Sequence, residues 1–108
     1  MADLTTYVAD VKKYTSSVDE AAVAGLAKTY ALVLGKPDSK WVAAGDPEEI
    51  GRVRDNFLKK KLGLTDPAAT LEAAITSVLD KMKADRTKSR LTVYYLLAEH
   101  FKKLDVFK

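Results

Sequence analysis

"DPEEIGRVRDNFLKKKLGLTDP", Asp46 to Pro67, decides the fold, because it writes one helix with both of its ends and then the start of the next. Asp46 before Pro47 is a start signal: the carboxylate can take an exposed amide, and proline at the first position has no N–H that needs a partner. Glu48 and Glu49 place negative charge beside the positive end of the helix dipole. Ile50, Val53, Phe57 and Leu58 are its expected inner face. Leu62-Gly63-Leu64 is a stop signal, with Gly63 expected in the left-handed conformation and Leu64 folding back on Leu58. Lys59, Lys60 and Lys61 occupy the last turn, where unpaired carbonyls favour exposed cations by roughly 0.3–1 kcal/mol each. Thr65-Asp66-Pro67 repeats the start signal. Gly51, inside the helix at a cost of about 1 kcal/mol against alanine, predicts a close approach by another backbone.

The same punctuation extends in both directions. Leu4, Tyr7, Val8, Val11 and Tyr14 share one face and predict a first helix near residues 3–14. Ser17-Val18-Asp19-Glu20 reads as a capping box, with Ser17 as cap and Glu20 reaching back to the cap amide. The helix it opens turns Val23, Leu26, Ala27, Tyr30 and Leu34 inward and stops at Gly35, where a left-handed residue is expected. After Asp66-Pro67, Leu71, Ala74, Ile75, Val78, Leu79 and Met82 give a broad apolar face. A last helix is expected from near Lys88 to Lys103, with a stripe of Leu91, Tyr94, Leu97, Ala98, Phe101 and Leu104. Val106 and Phe107 are expected to dock back onto the bundle. No stretch alternates with the period of a strand. Caps and faces together predict an all-α, compact single-domain bundle of about five short helices spanning residues 1–108.

Composition agrees and narrows the function. At 108 residues, the chain is one domain that can bury roughly two-thirds of its unfolded surface. With 47% hydrophobic and 31% charged residues it is globular rather than disordered. It contains no cysteine, which excludes disulfides, thiolate nucleophiles and cysteine-built zinc sites. Met1-Ala2-Asp3-Leu4 has no basic region leading into an apolar one, and no apolar run could cross a bilayer. A cytoplasmic, non-membrane protein is therefore expected.

Candidate chemistry is sparse. The single histidine, His100, adjoins Glu99, but neighbouring helical residues do not face each other, so a general-base pair is not expected. The window "DSKWVAAGDPEE", Asp38–Glu49, fails as a calcium loop: Lys40 and Val42 stand where oxygen ligands are needed, and Ala43 where glycine is needed. No phosphate-cradling glycine loop or nucleophile elbow is present. No cofactor, metal or catalytic residue is expected, and an enzyme is the least supported reading. In Tyr94-Tyr95 at least one ring is expected in the core and the other between helices, rather than as a base-stacking platform.

What remains is basic charge. Residues 1–49 carry five basic and eight acidic groups, net −3; residues 50–108 carry thirteen and seven, net +6. The second half holds the Lys59–Lys61 triplet and "KMKADRTKSR", Lys81–Arg90. Phosphate binding would draw on Lys59, Lys60, Lys61, Arg86, Lys88 and Arg90. The simpler account gives Lys81 and Lys83 to a helix C-terminus and the rest to a solvated turn. Arg86 and Arg90 do not fit that account, because arginine at a helix start opposes the dipole and calls for a carboxylate or a bound anion.

"NFLKKKLGL" (Asn56–Leu64), "LEAAITSVLDKM" (Leu71–Met82) and "RTKSRLTVYYLLAEHF" (Arg86–Phe101) closely resemble short bacterial proteins grouped as domain-of-unknown-function family 2853. The resemblance runs from about Tyr7 to Phe107 in the same order and spacing. It implies a compact all-α bacterial domain whose helix arrangement is like that of paired calcium-binding helix–loop–helix units. The failed calcium loop makes that a likeness of shape only, and no functional residue comes with the family. The expectation is thus a non-catalytic interaction or accessory module, open to a protein partner or to self-association. The alternative is weak nucleic-acid or anionic-ligand binding through the basic half.

Overall fold

The last long helix, α6 (Arg90–His100), forms the centre of the molecule. In the computed structural model, which describes residues 4–36, 41–42, 46–83 and 88–107, every residue from Arg90 to Ala98 is buried. The expected apolar stripe is therefore too narrow. Leu91–Ala98 has no polar face except Thr92, and a helix that is apolar all round belongs inside. The Thr92 hydroxyl is satisfied there by the Asp10 carboxylate.

Around it lie α1 (Leu4–Lys12), α2 (Glu20–Thr29) and α5 (Ala68–Lys81), each packed directly on α6. A single turn, α3 (Ala31–Leu34), continues α2 after a break at Tyr30. Helix α4 (Pro47–Arg52) runs into a π-helix over Val53–Lys61, and a 3₁₀ turn (Leu104–Phe107) follows α6. The described part measures 34 × 28 × 27 Å. The architecture is an all-α bundle of five helical units. It carries one small addition that the sequence did not suggest: β1 (Trp41–Val42) pairs antiparallel with β2 (Lys88–Ser89), Trp41 opposite Ser89. No helix among the described residues is long and apolar enough to cross a membrane.

Helix ends show where local signals hold. Asp46 caps α4, its carboxylate accepting from the Glu48 amide at 3.0 Å, with Pro47 in the first turn. Asp66 does not repeat this: α5 begins one residue later, with Pro67 as an extended cap and no side-chain bond. The capping box at Ser17 also fails. Asp19 is the cap, accepting from the Ala22 amide at 3.2 Å, and the Asp19 amide donates to the Tyr95 hydroxyl at 2.8 Å. A tyrosine from the central helix thus takes the amide of the observed cap, Asp19. Gly35 is not left-handed; among the described glycines only Gly63 is, with φ +68°.

The π-helix changes how the opening stretch is built. Its i→i+5 bonds bring Val53, Leu58 and Phe57, Leu62 into register on the buried side. In an α-helix, the residues three and four after Phe57 would be Lys60 and Lys61, which would then share its face. The wider turn rolls them outward instead, and Lys59, Lys60 and Lys61 are all exposed. The stop is widened too: the Leu64 amide reaches back six residues to the Leu58 carbonyl, 3.0 Å away.

The close backbone approach expected at Gly51 is found at Gly25. A β-carbon on Gly51 would meet only the Arg54 guanidinium, at 3.9 Å, whereas one on Gly25 would lie 1.7 Å from the Phe107 carbonyl oxygen.

Candidate functional site

Arg90 begins α6 immediately after β2, so its guanidinium starts inside the fold rather than at the rim. It is 8% exposed and faces Glu49, 5% exposed, in the first turn of α4. Arg90 Nη2 donates to Glu49 Oε1 and, at 3.4 Å, to the Trp41 carbonyl; Nη1 donates to the Tyr94 hydroxyl at 2.9 Å. The second Glu49 oxygen accepts from Arg52 Nη1 at 2.7 Å. One carboxylate therefore sits between two guanidinium groups, and the Arg90 side ties α4, β1 and α6 together. Of the two partners that an arginine at a helix start calls for, this interior supplies a carboxylate.

The electrostatics follow from that placement. Burial works against the Arg90 charge, but the Tyr94 oxygen and Glu49 outweigh it and hold its pKa above the usual arginine value. Burial pushes the Tyr94 phenol up, against the pull of Arg90. Tyr30, edge-on to Tyr94 with ring centres 5.0 Å apart, is raised as well, first by burial and then by Tyr94. Phe57 stacks on Tyr94 at 4.0 Å and lies parallel to Phe107 at 5.9 Å. Tyr94 and Tyr95 are both core residues, so neither ring is offered to a base.

The other expected anion-binding residues are elsewhere. Lys59 pairs with Asp55 at 3.7 Å, and Lys61 stands over the Phe107 ring at 5.7 Å. Lys88 is half-buried in β2. Arg86 lies outside the described residues, as do residues 38–40 and 43–45 of the calcium window. His100 is exposed and packs edge-on to Phe101, while Glu99 accepts from the Thr15 hydroxyl at 3.2 Å. Among the described residues, no three histidine or carboxylate side chains gather as a metal-ligand set.

The residue that sequence reasoning missed is Glu49. Its first-turn position accounted for it fully, and the missing carboxylate signalled by Arg90 had no address in the sequence.

Helices around a buried central helix, locked by the inward-facing Glu49–Arg90 clasp, define a small all-α domain. The chain belongs to the DUF2853 family, described as proteins of unknown function, which it matches over residues 6–105. No curated protein matches it.

Proposed function

We propose that this protein is a non-catalytic interaction or accessory module of the cytoplasm. One observation carries the reading: the side chains best suited to chemistry, Glu49, Arg90 and Tyr94, bind one another in the interior. A group poised for catalysis needs access to a reacting atom, and these have been given to the joint between α4 and α6. The outer surface has the complementary character, with charged side chains and, among the described residues, three exposed large apolar ones: Leu32 on α3, Trp41 and Val106. The test is a screen of hydrolase, transferase and oxidoreductase substrates with the wild type and with Glu49→Gln and His100→Ala. No turnover is expected. Turnover abolished by either substitution, in a variant that still folds, overturns the reading.

A second reading has its own observation: Lys59, Lys60 and Lys61 are exposed side by side at a helix end. They would bind nucleic acid or another polyanion, with Arg86 and Lys88 as further contacts and Arg90 committed to Glu49. Binding of a labelled single-stranded oligonucleotide should then weaken steeply with salt, and substitution of the triplet by alanine should flatten that slope. Salt-insensitive binding, or none at low salt, disposes of it.

A further inference from the structure

Helix α6 ends in a turn that glycine usually makes. The Lys102 amide donates to the Glu99 carbonyl at 3.1 Å and the Lys103 amide to the Ala98 carbonyl at 2.7 Å, which is the Schellman pattern. The left-handed residue in it is Lys102, at φ +58°, where a β-carbon is unfavourable. The comparable stop after the π-helix uses Gly63.

The strained turn swings Leu104–Phe107 back against α2. Phe107 is 6% exposed, its ring set against Phe57 and Tyr30, with its carbonyl in the space that only a glycine at position 25 leaves open. Val106 is 42% exposed and Asp105 is at the surface, while Leu104 is half-buried against the core. The helical pattern also runs on past the turn, through Leu97, Phe101 and Leu104. If Lys102 relaxed to right-handed φ, α6 would lengthen and carry Phe107 away from its slot.

We infer that the segment Leu104–Phe107 exchanges between two copies of this chain, with Phe107 of each filling the slot beside Gly25 of the other. The inference rests on the interaction-module reading and names a second copy as the partner. Exchange keeps the slot contacts unchanged and releases the Lys102 strain, so only the entropy of association opposes it. A short tether supplies an effective concentration on the order of millimolar, so the closed monomer dominates in dilute solution and the dimer grows as that concentration is approached.

The test mixes two single variants. Gly25→Ala blocks the slot and keeps the segment; Phe107→Ala keeps the slot and removes the anchor. Each alone is expected to sediment as a monomer, while the mixture forms a one-to-one heterodimer. In the wild type, Lys102→Gly should lower the dimer fraction several-fold at equal concentration by relieving the closed form. If Gly25→Ala fails to fold, a peptide of residues 101–107 titrated into Phe107→Ala decides the matter, with saturable binding by isothermal calorimetry expected. Absence of both the heterodimer and peptide binding overturns the proposal. So does a wild-type dimer indifferent to Phe107→Ala and Lys102→Gly. Neither result involves turnover, so the interaction-module reading stands or falls separately on the substrate screen.

Discussion

Arg90 and Lys60 are both cations at helix ends, and the fold treats them in opposite ways. Lys60 lies at a helix C-terminus, where the dipole welcomes positive charge, and it is exposed. Arg90 lies at a helix N-terminus, where the dipole opposes it, and it is buried. A charge in the wrong place and out of water persists only with strong partners, and Arg90 has Glu49 and the Tyr94 oxygen. The buried cation thus holds the structure together, while the exposed row costs the fold little.

The sharpest way to break that contrast is to remove one half of the clasp. Glu49→Ala takes the carboxylate from a buried Arg90 and should cost about 3–5 kcal/mol in urea unfolding. Arg90→Ala should cost less, because Arg52 still holds the carboxylate at 2.7 Å. Replacing both by methionine should cost less than Glu49→Met alone, since no charge is then stranded. Equal and small effects would mean that the pair behaves as a surface ion pair.

Next in size is an alkaline limit. The Tyr30 and Tyr94 phenols keep their protons in the fold beyond the pH at which an unfolded tyrosine, near 10, loses its own. Their contribution is fully present below about pH 10. As pH rises through the interval up to the folded values, the unfolded chain releases protons that the folded chain retains, and stability falls. Tyr30→Phe should flatten the loss of melting temperature measured between about pH 9 and 11. An unchanged slope would place the alkaline limit at groups other than Tyr30. The lysine row should respond to salt instead.

How much of this was legible follows from which interactions are local. Asp46-Pro47 and Gly63 work through neighbours a few residues away, so their reading needs no knowledge of the rest of the chain. Asp19 rather than Ser17 is the cap, and its amide is taken by Tyr95, 76 residues on, a partner that no local signal announces. Gly25 rather than Gly51 meets a backbone because the segment after α6 returns to α2, and nothing near either glycine encodes that return. The inner carboxylate for Arg90 was legible as a need, whereas its identity depended on α4 lying beside the start of α6. The bundle itself was readable because five apolar faces with marked ends leave few other arrangements.

The smallest effect belongs to the lysine row and tests why the helix beneath it is wide. Alanine at positions 59, 60 and 61 together should change stability by less than about 1 kcal/mol, because lost dipole interactions are offset by better helix propensity. Deleting Lys60 is more informative. It would put Leu62 four positions from Phe57 and three from Leu58, the spacing of an ordinary α-helix, and would remove the reason for i→i+5 winding. The shortened chain should fold with stability within roughly 1 kcal/mol of the wild type, with the buried row of Val53, Phe57, Leu58 and Leu62 retained. A collapse of the fold would show that the π-turns serve the contacts of Phe57 with Tyr94 and Phe107, not the placement of the lysines. Retained stability would make the wide turn a consequence of one extra residue, and the exposed row the feature that this residue adds.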